Sequence, residues 1–227
     1  MKGLAIDSSV TKLTIACKND DHIVTVSYDI GMKQSETLLP AISYVMEKAD
    51  LIISDLDYTT ICKGPGSFTG LRLGFAALKA FETAGKIPLY GISTLKANAY
   101  ANENLGMPVI SIIDAKKDRF YACSYKNGTE IFPESDYTYE KLASFIKKSN
   151  DNNFLLSGPV PDMKVFCEEV SPLLPGIQIR VPKTCAPVTD ALFALTEKMI
   201  QEGEKPLLEY DGPVYLRASE AEEKLGK

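Results

Sequence analysis

The chain has 227 residues, 45% hydrophobic and 24% charged, a globular composition that excludes a disordered chain and suits one large domain or two small ones. Its 25 basic and 30 acidic residues leave a net charge of −5, and without a long basic run this argues against a direct, dominant grip on nucleic acid or anionic membrane. A single histidine, His22, excludes two-histidine metal sites within the chain, and neither a secretory signal nor a membrane-spanning apolar run of about 18 residues is expected.

The opening alternation predicts three antiparallel strands, Lys2–Asp7, Lys12–Lys18 and His22–Tyr28, the last two joined by a polar turn at Lys18–Asp21. From Ser35 the pattern becomes helical: Leu38, Ile42, Val45 and Ala49 share one stripe, widened by Leu39 and Met46, and Pro40 is tolerated close to the helix start. A strand at Asp57–Lys63 then runs into the glycine-rich segment Gly64–Gly74 and a second helix that ends near Gly85, placed as a C-cap glycine. Lys86–Ile92 reads as a strand and Thr94–Asn104 as a helix, with the breaker-rich Asn102–Pro108 as the boundary between two halves.

The second half repeats the mixture. Val109–Asp114 and Arg119–Tyr125 read as strands, Asn127-Gly128 as a tight hairpin turn, Tyr139–Lys148 as an amphipathic helix and Phe154–Gly158 as a strand. Met163–Val170 is expected to be helical, Ile177–Val181 extended, and Thr189–Gly203 a long helix with Leu192, Leu195, Met199 and Ile200 on one face. Pro213–Arg217 leads into a charged end. No tandem repeat stands out, and strands mixed with helices in both halves indicate an α/β or α+β layered fold. The five cysteines (Cys17, Cys62, Cys123, Cys167 and Cys185) are scattered and never form C-x-x-C, the pattern of free thiols in a reducing cytoplasm.

The Gly64–Gly74 segment is the most informative. A glycine-rich turn opening a helix can present backbone N–H groups to a phosphate. The Walker pattern fails because Leu71 and Arg72 follow Gly70, and a G-x-G-x-x-G spacing fails at Thr69. The plainer reading is a tight strand-to-helix turn in which Ser67 or Thr69 caps the helix. In the helix itself only Arg72, Lys79 and Thr83 form a polar strip, and an apolar arc of about 260° far exceeds the stripe of a surface helix. It is either a central helix buried within its own chain or one whose second side meets a partner. Gly70 and Gly74 allow a backbone to approach closely.

Asp7, at the end of Ala5-Ile6-Asp7-Ser8-Ser9, is read as holding a turn by side-chain hydrogen bonds, with a phosphate-orienting carboxylate as the alternative. Asp114–Arg119 is a charged loop, more simply a solvated tip than a binding patch, and His22 is a surface residue rather than a general base. No pair of carboxylates is singled out as an acid–base couple.

Ala5–Ser9, Gln34–Pro40, Gly64–Gly74 and Ile87–Ser93, with Asp114-Ala115, Tyr121 and Pro213–Arg217 further on, together resemble the TsaB (YeaZ) family over nearly the whole chain. The resemblance implies a two-lobed α/β fold of the actin-like class, shared with sugar kinases and Hsp70 and ribonuclease H-like in its sheets. It implies a cytoplasmic, non-catalytic protein needed for threonylcarbamoyladenosine formation at the tRNA adenosine next to the anticodon. Such proteins pair with TsaD, the metal-bearing transferase, join the ATPase TsaE in a larger assembly, and form homodimers. They meet tRNA only through that complex, touch no membrane, and carry no cofactor, metal or catalytic residue of their own. The family's pairing surface lies on two helices that correspond here to Ser35–Ala49 and Leu71–Ala84.

On that basis residues 1–104 are expected to form an amino-terminal lobe carrying the partner helices, and residues 105–227 a second lobe whose tail packs back on the first. Leu38, Leu39, Ile42 and Val45, with Leu71, Phe75 and Leu78, are the expected mating face. One residue departs from the family: Gln34 stands where histidine is usual, which would alter a partner contact if it makes one. The alternative function is a stand-alone ATP-dependent phosphotransferase using Asp7 and the Gly64–Gly70 turn. A metallopeptidase is a third reading, opposed by the histidine count.

Overall fold

The structure, a computed structural model, describes residues 1–31, 33–102, 105–183 and 187–217. It divides into two compact units, Met1–Ala97 with Ala186–Pro213 and Asn98–Cys185 with Val214–Lys227. Part of the expected boundary segment, the end of the helix expected at Thr94–Asn104, and Cys185 fall outside the described residues.

In the first unit β1 (Lys2–Asp7), β2 (Lys12–Asn19) and β3 (His22–Asp29) form an antiparallel meander. The strands β4 (Tyr58–Cys62) and β5 (Leu89–Ile92) add in parallel on the other side of β1, giving the order β3-β2-β1-β4-β5. Two helices, α1 (Gln34–Lys48) and α2 (Phe68–Gly85), cover one face. Leu4, Ile6, Leu13, Ile15, Ile61 and Leu89 point up from the sheet into Leu38, Ile42, Val45, Phe75 and Leu78 from the helices, which follows from the alternation of side chains along each strand.

The opposite face is covered by the last helix, so the chain does not divide at one point as expected. Residues 105–227 do not stay together: α6 (Val188–Gln201) belongs to the first unit. Its placement has a physical reason. Thr196 Oγ1 donates to Thr60 Oγ1 at 2.7 Å in a buried position, and Glu197 accepts from Lys18 Nζ at 2.6 Å and from Tyr58 OH at 2.9 Å. Phe193 meets the Tyr58 ring edge-on, with centroids 6.5 Å apart.

The second unit repeats the connectivity. Here β6 (Val109–Asp114), β7 (Arg119–Lys126) and β8 (Thr129–Thr138) form the meander, and β9 (Asn153–Ser157) and β10 (Gln178–Arg180) add in parallel, in the order β10-β9-β6-β7-β8. The hairpin at Asn127-Gly128 forms as read, with φ of 51° and 76°, the left-handed pair a type I′ turn requires. A core of Phe120, Phe132, Tyr137, Phe154 and Phe166 lies under α4 (Tyr139–Lys148) and α5 (Val160–Val165), which continues as a π-helical turn at Phe166–Val170. The helix α3 is Thr94–Tyr100.

Two local readings change. Gly85 is the last helical residue, and Lys86, at φ 54°, takes the left-handed cap. A side chain at Gly85 would press on Ile87, so the glycine serves packing instead. The expected choice of cap at the start of α2 resolves to Ser67, whose Oγ accepts from Gly70 N at 3.3 Å.

Candidate functional site: a sealed turn and an open helix face

The end of β1 meets the glycine-rich turn at backbone contact. Ser67 N donates to the Ser9 carbonyl at 2.6 Å. A Cβ placed on Gly66 would collide with the Ser9 carbonyl, on Gly70 with the Ser8 carbonyl, and on Gly74 with Ser8 Oγ and Ile61. The glycines at four-residue spacing are thus needed for close approach, and the space beside the turn is filled by the protein's own Ser8–Ser9 segment.

Asp7 behaves as the turn-holder of the plainer reading. Its Oδ1 accepts from Ser9 N at 3.0 Å and from Ser9 Oγ. Burial raises its pKa, and the bonds from Ser9 and from Cys62 pull only partly the other way. Cys62 faces it from the end of β4, its thiol pushed well up by burial and by the adjacent carboxylate. These groups hold one another. Among the described residues no cluster of three or more His, Cys, Asp and Glu side chains could bind a metal.

The other feature is the outward side of α1 and α2, where the expected mating face needs correcting. Leu38, Ile42, Val45, Leu71, Phe75 and Leu78 are all buried in the first unit's own core, and of the seven only Leu39, 60% exposed, reaches solvent. The stripe with the strongest helical periodicity belongs to the sheet, because a helix spends its most regular apolar face on its own core. Leu71→Glu and Phe75→Glu would therefore break the fold before they reported on a partner.

What the helices show outward is a second, weaker apolar surface. Phe68, 43% exposed, carries the Arg72 guanidinium 3.7 Å above its ring, and Ala76 and Ala80 follow along α2 at helical spacing. Between the helices a groove of about 930 Å³ is lined by Leu39, Ile42, Met46, Ile52, Ile53 and Phe81, among others. Ile52 and Ile53, in the turn after α1, are exposed. The sequence signal for this surface was the excess width of the apolar arc on α2, which pointed to a second face without naming its residues.

Gln34 does not lie on that surface. Its side chain is buried, and Nε2 donates to the Val10 carbonyl at 2.7 Å. The charged loop after β6 is also occupied internally: Lys116 N donates to Asp114 Oδ1 at 2.8 Å, and Asp114 N donates to Asp162 Oδ2 at 2.9 Å. His22 is exposed.

Comparison with known proteins gives these features a context. A sequence model of the TsaD family, described as tRNA N6-adenosine threonylcarbamoyltransferase, matches residues 31–164. The tRNA threonylcarbamoyladenosine biosynthesis protein TsaB of Buchnera aphidicola subsp. Schizaphis graminum is 30% identical over 146 residues, 63% of this chain and 68% of that protein. The TsaB of Escherichia coli K12 is 24% identical over 238 residues, 99% of this chain and 98% of that protein. Among solved structures, YeaZ from Pseudomonas aeruginosa superposes with a TM-score of 0.79 at 22% identity, covering 95% of this chain and 99% of that one.

Proposed function

The chain belongs to the TsaB (YeaZ) family, and from that premise we propose that it is a non-catalytic subunit of tRNA threonylcarbamoyladenosine biosynthesis that binds and stabilises TsaD. Its fold is the two-lobed α/β, actin-like one. The observation that carries the proposal is the outward side of the α1–α2 pair, which keeps Leu39, Phe68, Ala76 and Ala80 in solvent after the core has been satisfied. Exposed apolar and small side chains along two adjacent helices suit a helical partner that packs close. The same face serves a homodimer when the chain is alone. TsaE is recruited to the resulting assembly, and tRNA is reached through that assembly.

The sealed turn supports the non-catalytic part of the reading. A phosphotransferase would need room beside Asp7 and the Gly64–Gly70 turn for a phosphate, and Ser8 and Ser9 occupy it. A cytoplasmic location accords with the free thiols at Cys17, Cys62, Cys123 and Cys167. Among the described residues no helix is long and apolar enough to cross a membrane.

The test is co-expression with the cognate TsaD, size exclusion of the product, and a tRNA modification assay with and without this chain. A co-eluting complex whose modification activity depends on the chain is expected. Separate elution with undiminished modification, or magnesium-dependent ATP turnover by the isolated chain, would overturn the reading.

A further inference from the structure

We propose that Gln34 is a positioning residue for the α1–α2 face: buried and out of a partner's reach, it fixes where α1 begins relative to α2. The inference rests on the partner-binding reading above.

The first turn of α1 is held from within by the Thr37 hydroxyl, which donates to the Lys33 carbonyl at 3.2 Å, and it lacks a side-chain N-cap. Lys33, at the N-cap, supplies no side-chain hydrogen bond to the helix. Pro40 lies inside the helix and removes the amide that would bond the Glu36 carbonyl, so the opening turn lacks a rung of its ladder. Helix starts left this way fray unless something outside the helix ties them.

Gln34, the first helical residue, supplies that tie. Only 5% of it is exposed. Its Nε2 donates to the carbonyl of Val10 in the β1–β2 turn at 2.7 Å. Its Oε1 lies only 2.8 Å from the position a Cβ would take on Gly70 of α2. Gly70 in turn abuts the Ser8 carbonyl. One carboxamide thus touches three elements: the start of α1, the turn that follows β1, and α2 at Gly70, where the helix abuts that turn. Leu39 lies on α1 just beyond this joint, and Phe68 and Arg72 flank Gly70 on α2. Loosening the joint lets the two parts of the outward face move independently, and a partner then binds only the fraction of molecules in which they are aligned.

The experiment uses the full chain and the cognate TsaD, with complex affinity and the thermal midpoint of each variant measured separately. Gln34→Met keeps length and volume but deletes the donor. Gln34→Asn is one methylene too short to reach Val10, and it carries the same expectation should the methionine variant not fold. Gln34→His is the conservative rescue, because a ring nitrogen can donate from a similar place. Thr196→Val is the control: it deletes a buried hydrogen bond on the far face of the same sheet, away from α1 and α2.

Well below the midpoint, Gln34→Met is expected to weaken TsaD binding about fivefold or more, with Gln34→His returning to within about twofold of wild type. Thr196→Val is expected to lower the midpoint while leaving affinity within about twofold. Wild-type affinity in the methionine and asparagine variants, or an equal loss in the control, would overturn the inference while leaving the functional reading intact. Failure of the wild-type chain itself to bind TsaD would instead remove the functional reading, and this inference with it.

Discussion

The two units share a plan. In each, a strand ending in aspartate opens an antiparallel meander, and two more strands add in parallel on its other side. Their strand ends have diverged. In the first unit Asp7 is buried under a turn made of glycines, bonded to Ser9 and facing Cys62. In the second, Asp114 bonds Lys116 across a loop whose residues Lys116, Lys117 and Asp118 all have φ near +60°, and Asp162 at the start of α5 accepts the Asp114 amide. The helix coverings differ as well. The outward side of α4 carries Glu140, Lys141, Ser144, Lys147 and Lys148, while that of α1 and α2 mixes Leu39, Phe68, Ala76 and Ala80 with Glu36, Ser43, Glu47 and Arg72. One backbone plan has been spent on a sealed joint with a partly apolar exterior in one unit, and on a charged loop with a polar exterior in the other.

The largest effects should come from breaking the sealed joint. Leu71→Glu buries an unpaired carboxylate at a site with no exposure and is expected to leave the first unit unfolded, seen as loss of the cooperative thermal transition. Gly70→Ala drives a methyl into the Ser8 carbonyl, where backbone cannot give way as a side-chain tip can. It is expected to cost about 3 kcal/mol or more. Gly212, with open space around it, is the contrast: its alanine variant should stay within about 0.5 kcal/mol of wild type in denaturant titration.

The exteriors separate next. Leu39→Glu places a charge on the outward face without touching the core, and is expected to weaken TsaD binding at least about tenfold with the thermal midpoint held. Ser144→Glu, the same change on the exposed side of α4, should alter neither. Equal losses from both would erase the distinction between the two exteriors.

The strand and helix order of both units was legible because period-two and helical patterns are strong in this chain, and even the Asn127-Gly128 turn announced itself through the left-handed angles that pair favours. The duplication was not legible, since it resides in strand order rather than in residue identity. Nor was the return of α6 to the first unit. Its apolar stripe says that it packs, while its partners Thr60, Lys18 and Tyr58 lie more than a hundred residues away in sequence. The burial of six of the seven residues expected at the mating face was missed for a related reason. Periodicity measures how regular a face is, and the most regular face, with Leu38, Ile42 and Val45 on α1, is the one a sheet demands. The outward surface sets a few apolar side chains, Leu39, Phe68, Ala76 and Ala80, among polar ones such as Glu36, Ser43 and Arg72, so it scores low on any periodic template. Gln34 shows the limit from the other side: a polar residue at a helix start reads as exposed, and only the carbonyl of Val10 explains its burial.

The smallest effect, and the most discriminating between the two strand ends, is one of sign. Burial holds the Asp7 pKa above the ordinary carboxylate range of about 4, so the folded state binds this proton more tightly than the unfolded state does. Below pH of about 4 both states are protonated and the group is neutral in the balance. As pH rises through the raised folded value, the unfolded state gains by ionising freely while the folded state must ionise a buried group, and stability falls. Asp7→Asn keeps an oxygen for the Ser9 donors and has no charge to bury. It should therefore unfold at a higher denaturant concentration than wild type at pH 7, with the advantage vanishing as pH approaches about 4. At the second strand end the expectation reverses. Asp114→Asn gives up an ion pair to the exposed Lys116 and should be destabilised by no more than about 1 kcal/mol at pH 7. An Asp7→Asn variant less stable than wild type at neutral pH would mean that the carboxylate is ionised and bound in place. The first strand end would then be a charged site like the second, and the contrast between the units would fall at its most specific point.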